Sequence, residues 1–453
     1  MALVAALSAA LAPEQPHDAR LLAVALGAGR VRGIAHQLAL DARANPSRAE
    51  VTLRTGLRDA RALHSRERRL VADAVRDLIR WEALLDALLP ATAAPELARW
   101  FAWMVHLGAD AADAANAWTA AIPDTPAPDL APFRDLPHLA QALLASLSAT
   151  ERLATLASVA PSVAVELERS LGEQAEAFAL ASSGRAPVVL RARGLEPERD
   201  RLVEALVRGG VDARPAPWAR QGVVLHGRVN LDALPHPLRG RYEVQDEGSQ
   251  LLSELVAPDR GLVIDLCAGA GGKSLALADR GAQVLALDVR APALEELQKR
   301  ASAARLRVRT ELLHRDGGLP SSVLSLAGRA TRVLVDAPCS GSGVLRRHPE
   351  YRWRLTDAPA LAQTQGAILA RAADLVAPGG RLVYGTCSVL RAENEDVVDA
   401  FLADHPAFQR LSVAQVLGDA RASELKLARD LRVAPHSHHT DGFFGAVLQR
   451  RPS

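Results

Sequence analysis

Scarcity marks this sequence before any motif does. Its 453 residues include three cysteines, Cys267, Cys339 and Cys387, too few for a disulfide-stapled scaffold and in keeping with a reducing compartment. Lysine is as rare: Lys273, Lys299 and Lys426 are the three, and the other 51 basic residues are arginines. That excess, set beside so much alanine and leucine, is read as codon bias and given no functional weight. Net charge is close to nil, +2 from 54 Lys+Arg against 52 Asp+Glu. No stretch reaches 18 uninterrupted apolar residues, so no transmembrane helix is expected. The apolar start Met1–Leu11 lacks basic residues and runs into Pro13-Glu14, which makes a poor signal peptide. The expected location is cytoplasmic. What is plentiful is core-forming chain: 49% of residues are hydrophobic, mean hydropathy is +0.03, and disordered or collagen-like classes are excluded. At roughly 100–200 residues per domain the length suggests two to four domains.

Residues 17 to about 120 carry helical periodicity. Leu21, Leu22, Val24 and Ala25 repeat at helical spacing. In Ser65–Leu89 the residues Leu70, Val71, Val75, Leu78, Ile79, Leu84 and Leu85 share one side, opposite Arg, Glu and Asp. The proline-dense stretch Ile122–Pro137 reads as a connector. At Pro187 the pattern changes to a small α/β piece, with a strand at Val188–Leu190, a helix at Pro197–Arg208 and a strand at Gly222–Leu225. Arg185–Arg241 holds 11 arginines and 6 acids, a local +5. Such a surplus suits a phosphate backbone, or equally a solvated face. From Tyr242 onward short apolar strands (Leu262–Leu266, Val284–Asp288, Val333–Val335, Leu382–Tyr384) alternate with helical patterns, which predicts a doubly wound parallel sheet. Right-handed crossovers would gather the loops after the strands along one ligand-binding edge.

Val263-Ile264-Asp265-Leu266-Cys267-Ala268-Gly269-Ala270-Gly271-Gly272-Lys273-Ser274 is a strand, a glycine turn and a helix start. Glycines let the backbone approach a ligand, and the new helix offers unpaired N–H groups. A phosphate-binding P-loop would need glycine where Cys267 stands. An adenosine-type cofactor fits better, because the next strand ends in an acid, Asp288, able to grip ribose hydroxyls. A further loop acid, Asp316, could accept from an adenine amino group. Strand, glycine turn, acid and acid form the S-adenosylmethionine arrangement.

Cys339, in Asp336-Ala337-Pro338-Cys339-Ser340, and Cys387, in Thr386-Cys387-Ser388, each follow a strand and should meet in one crevice. A lone cysteine is usually buried filler; two in polar loops argue otherwise. No C-x-x-C partner or fourth ligand favours zinc, and His436, His438 and His439 fall in one loop segment. No metal is expected. A methyl donor beside a thiol suits methylation at carbon 5 of a pyrimidine, because a thiolate added at carbon 6 makes carbon 5 nucleophilic. A free cysteine, pKa about 8.5, must first ionise. Asp336 would hold the proton that makes the ring electrophilic. The base must leave its stack to enter.

With these residues in view, the C-terminal half resembles the Nol/Nop/Sun RNA (cytosine-5) methyltransferases, and within them the bacterial branch acting on 16S ribosomal RNA. The likeness rests on ordered motifs over about 210 residues. They are Gln245-Asp246-Glu247-Gly248-Ser249-Gln250, Cys267–Lys273, Asp336–Ser340, Gly343-Val344-Leu345-Arg346-Arg347-His348-Pro349-Glu350, Thr386-Cys387-Ser388 with Glu393-Asn394-Glu395, and Asp441-Gly442-Phe443-Phe444. The resemblance implies a Rossmann-like methyltransferase domain and a division of labour that residue chemistry alone leaves open. Cys387 would be the covalent nucleophile and Cys339 would assist product release. Cys267, Ala268, Gly269, Ala270, Gly271, Gly272, Lys273, Asp288, Asp316 and Asp336 would contact S-adenosylmethionine. Arg191, Arg193, Arg346 and Arg347 would contact RNA.

Leu63–Arg69 before Leu78–Trp81 is similar to the NusB-like RNA-binding domain of that branch. The implied layout is a helical NusB-like domain over 1–145, a helical linker and small basic α/β subdomain over 146–240, and the methyltransferase domain over 241–453. Two departures stand out: the usual C-A-A-P-G-G-K becomes Cys267-Ala268-Gly269-Ala270-Gly271-Gly272-Lys273, and an R-V-N element becomes Arg191-Ala192-Arg193. The expectation is a monomeric ribosomal RNA cytosine-5 methyltransferase, with a tRNA methyltransferase or a non-catalytic RNA-binding assembly factor as alternatives.

Overall fold

A computed structural model of the chain describes every residue except 1, 13–28, 93, 195, 228, 232, 233, 235–237, 239 and 453. The periodicity at Leu21, Leu22, Val24 and Ala25 lies outside the described residues. The chain forms two compact units, Met1–Arg185 with Val344–Thr356, and Ala186–Gly343 with Asp357–Ser453.

The first unit is helical. In Ser65–Arg80 the buried stripe is Leu70, Val71, Ala74, Val75 and Ile79, as the i, i+4 spacing requires. Leu84 and Leu85 continue it, and Trp81, Phe101, Trp103 and Trp118 are buried in the same unit. The His64 N–H donates to Glu67 Oε2 at 2.8 Å, closing the start of that helix. The excursion Val344–Thr356 is fixed by the buried Arg352, which donates to the carbonyls of Ala157 (2.7 Å), Leu345 (3.0 Å) and Ser182 (3.0 Å). Burial, then the nearby charge of Arg80, push its guanidinium down to about 9 against the opposing pull of Glu350.

The second unit contains two sheets. Strands β1 (Val188–Ala192), β2 (Ala213–Pro215), β3 (Gly222–Leu225) and β4 (Tyr242–Val244) form an antiparallel sheet in the order β2-β3-β1-β4. The large sheet comprises β5 (Leu262–Asp265), β6 (Gln283–Asp288), β7 (Val308–Leu312), β8 (Ala330–Asp336), β9 (Val376–Thr386), β10 (Phe408–Leu411), β11 (Leu431–Val433) and β12 (Phe443–Arg450). Its order is β10-β12-β9-β8-β5-β6-β7, with β11 paired to β12. Strands β5 to β9 are parallel. The C-terminal strands, which were not expected, extend this sheet with β12 antiparallel to β9, β10 and β11.

Both faces of the inner parallel strands are covered, so those strands read as continuous apolar runs. Ile264, Leu285, Leu287, Val333, Val335, Leu382 and Tyr384 face one core. Their neighbours Val263, Val284, Ala286, Leu334 and Val383 face the other. The chain proceeds from β5 to β6 and β7 on one side and resumes at β8 and β9 on the other. The switch point therefore lies between β5 and β8, where ligands of such sheets bind. No helix among the described residues is long and apolar enough to cross a membrane.

Candidate active site

The glycine turn is shaped by backbone. Gly269 and Gly271 adopt φ +55° and +84°, open to glycine and strained for other residues. A Cβ on Gly271 would sit 2.3 Å from Leu297 Cγ, so the turn is also tight. The helix Gly272–Asp279 starts directly after it. Ala268 N–H donates to Leu287 O at 2.9 Å and Gly269 N–H to Asp288 Oδ2 at 2.7 Å, tying the turn to the end of β6. Asp288 is buried at 6% exposure, and its other oxygen accepts from Arg290 N–H (2.9 Å) and Nε (3.2 Å). Cys267 and Ala268 are half-buried and Ala270 is exposed. Burial, then the charge of Asp265, push the Cys267 thiol up, so the first cysteine stays protonated. Asp316 is exposed and accepts from Gly318 N–H at 2.9 Å.

Beneath the turn lies a group the sequence reading passed over. Asp265 ends β5 with 1% exposure. Its Oδ2 accepts from Ser274 Oγ at 2.6 Å, whereas its Oδ1 is buried without a partner. Burial pushes its carboxyl up to about 7. An orphaned buried oxygen, a glycine turn and a fresh helix N-terminus at the switch point fit a nucleoside cofactor with polar groups to satisfy.

After β8 and β9, neighbours in the sheet, the other two thiols meet. Cys339 Sγ lies 3.2 Å from Cys387 Sγ, and both residues are half-buried. The contact with Cys387, then burial, raise the Cys339 thiol well above its ordinary value. Asp336, half-buried, accepts from Lys273 Nζ at 2.6 Å. Lys273 also lies over the Phe443 ring at 5.2 Å. Burial opposes its charge, but Asp336, with Cys387 and Asp265, outweighs it and raises the ammonium above its usual value. One of three lysines thus links the glycine turn to the first cysteine loop.

Two glycine backbones close this end. Gly343 N–H donates to Cys387 O (2.9 Å) and Gly442 N–H to Gly343 O (2.8 Å). A Cβ on Gly343 would meet Gly442 O at 2.3 Å, which explains glycine in both motifs. The Gln245–Gln250 segment is a clasp. Asp246 Oδ1 accepts from Gly248 N–H (2.8 Å) and Asp441 N–H (3.1 Å), and Gln250 Nε2 donates to Leu190 O (3.3 Å) in β1.

The arginines expected to contact RNA differ in exposure. Arg191 is 1% exposed; it pairs with Asp279 at 2.5 Å and donates to Gln245 Oε1 at 2.8 Å. A guanidinium so enclosed cannot reach a phosphate. Arg193 donates to the carbonyls of Gly240 (3.0 Å) and Ala304 (3.3 Å) with its side chain 13% exposed. Arg346 is buried and Arg347 half-buried, both within the helical unit. The histidine segment, expected as loop, contains a one-turn helix Pro435–His438; the His438 ring nitrogens face Ser437 Oγ (2.8 Å) and Leu425 O (3.2 Å).

A glycine turn at the switch point of a doubly wound sheet, with an acid ending the next strand, suits a nucleoside cofactor such as S-adenosylmethionine. Comparison with known proteins narrows the class. Residues 253–449 match the family model described as 16S rRNA methyltransferase RsmB/F, and residues 164–232 match the ferredoxin-like domain of the same proteins. The chain is 34% identical over 299 residues to the ribosomal RNA small subunit methyltransferase B of Pseudomonas syringae, covering 62% of this chain and 63% of that one. It is 32% identical over 290 residues to the protein of that name from Vibrio vulnificus, covering 63% and 65%. The matched stretch thus spans less than two-thirds of either relative. A crystal structure of a methyltransferase homolog from Pyrococcus horikoshii superimposes with TM-score 0.54 at 26% identity, over 67% of this chain and 100% of that one. Over these residues the chain is similar to the RsmB/F methyltransferases.

Proposed function

We propose that the protein methylates carbon 5 of a cytosine in ribosomal RNA, 16S favoured, through a covalent bond between Cys387 and the base. The observation that carries this reading is the pair of sulfurs 3.2 Å apart at the ends of β8 and β9, on the edge that also holds the glycine turn. Cys267 to Lys273, Asp288 and Asp316 would hold S-adenosylmethionine, which when bound supplies the methyl group that carbon 5 takes up. The Cys387 thiolate adds to carbon 6, and the displaced ring electrons make carbon 5 nucleophilic. Asp336, within reach of the ring's N3/N4 edge once a base is flipped in, holds the proton that draws those electrons; Lys273 fixes its orientation. After transfer the carbon 5 proton leaves to a base, the double bond re-forms, and the sulfur–carbon 6 bond breaks. Cys339, kept as a thiol by its contact with Cys387 and by burial, stands next to the departing sulfur and assists that release.

The test is methyl transfer to ribosomal RNA by Cys387→Ala. Activity should fall at least about 10³-fold with cofactor binding retained. Full activity would end the covalent reading.

A further inference from the structure

The two thiols ride on loops whose cysteines are 48 residues apart in sequence, and a third element holds these loops in register. Glu393 closes the short turn Arg391–Glu393 and is fully buried at 0% exposure. Its carboxylate accepts four hydrogen bonds. On Oε1 these come from Ser340 N–H at 2.8 Å and Gln365 Nε2 at 3.0 Å. On Oε2 they come from the hydroxyls of Ser340 and Ser388, both at 2.5 Å. Ser340 directly follows Cys339, and Ser388 directly follows Cys387. We propose that Glu393 is the positioning residue of the cysteine pair, its carboxylate setting the distance between the sulfurs by gripping the residue after each.

Donor and acceptor counting shows why a carboxylate is needed. Each serine hydroxyl has one hydrogen, and Glu393 takes both, so the two oxygens act only as acceptors elsewhere. Ser388 Oγ accepts from Leu390 N–H (3.1 Å) and Ser342 Oγ (2.9 Å). Ser342 Oγ in turn accepts from Val389 N–H (3.0 Å), and Ser340 Oγ accepts from Ser342 N–H (3.3 Å). Every bond in this buried chain points toward Glu393. An amide in its place would present N–H to one side and force hydroxyls to reverse against fixed backbone donors. Asn394 secures the second loop, accepting from Thr386 Oγ1 at 2.6 Å and donating to Ser388 O at 2.9 Å. Gln365 bridges back to Pro338 O at 2.9 Å, one residue before Cys339. The charge of Glu393 also adds to the forces that keep Cys339 a thiol.

The geometric part of this inference is independent of the proposed function; its consequence for turnover rests on that reading. Diamide takes up two thiol hydrogens and leaves a disulfide, and the sulfurs must close to about 2.05 Å to bond. Closure is therefore a probe of their placement, readable by peptide mapping with Cys267 as the internal comparison. The full-length wild-type chain should form the Cys339–Cys387 disulfide rapidly. Glu393→Gln should close at least tenfold more slowly, with kcat for methyl transfer reduced at least tenfold and KM for S-adenosylmethionine unchanged. Closure at the wild-type rate in folded Glu393→Gln overturns the proposal. Slow closure with undiminished methyl transfer leaves the positioning role standing and removes the cysteines from the reaction. Should Glu393→Gln fail to fold, Ser388→Ala replaces it: at least threefold slowing supports the proposal and an unchanged rate overturns it.

Discussion

After β5 and β6 the chain is shaped by backbone, with glycines at positive φ, a helix start and one buried carboxylate oxygen left unmatched. After β8 and β9 it is shaped by side chains, with serine hydroxyls, Gln365, Thr386 and Asn394 drawn into a single hydrogen-bonded system around Glu393. The first half suits a ligand that arrives and leaves, because Asp265 Oδ1 has no partner there within the chain. The second suits groups that must already stand where the reaction needs them, since bond-making tolerates little misplacement. Lys273 belongs to both, rooted in the turn and bonded to Asp336.

Breaking the turn should have the larger effect. Gly271→Ala meets a strained backbone, about 1–3 kcal/mol, and a core side chain at 2.3 Å, a further ~1–3 kcal/mol of overpacking. The melting temperature and S-adenosylmethionine affinity should both fall, while diamide closure of the cysteine pair in the folded fraction stays at the wild-type rate. Slower closure would show that the two halves are not separately built.

A smaller effect comes from pH. The Asp265 carboxyl is raised in the folded chain to about 7 from its ordinary 3.8, so between these values the folded state binds the proton more tightly. Its contribution to stability is present at low pH and is lost as pH rises through 7. From pH 6 to pH 8 the ligand-free protein should lose about 1.4 kcal/mol at this site, measured by denaturant unfolding. Asp265→Asn should flatten that slope; an unchanged slope assigns it to another group.

The sequence reading found the parallel core because strands buried on both faces leave uninterrupted apolar runs such as Leu262–Asp265 and Gln283–Asp288. It missed β7, whose Val308-Arg309-Thr310-Glu311-Leu312 is an edge strand carrying charge and without a clean period. It missed β10 to β12 because antiparallel strands need no helical crossover to announce them. Both cysteine loops were legible as motifs, but not what joins them. Ser340, Ser388 and Glu393 lie up to 53 residues apart and look like ordinary polar neighbours until the fold brings them together. Arg191 shows the converse: a basic residue in a basic stretch signals solvent by composition, yet here it is enclosed against Asp279.

The most direct test of the cysteine pair is a denaturing gel of full-length protein incubated with ribosomal RNA and S-adenosylmethionine. Cys339→Ala should accumulate a covalent protein–RNA adduct that Cys339→Ala with Cys387→Ala cannot form. Normal turnover by Cys339→Ala without adduct, or an adduct that survives loss of Cys387, would contradict the assignment of attack to Cys387 and release to Cys339.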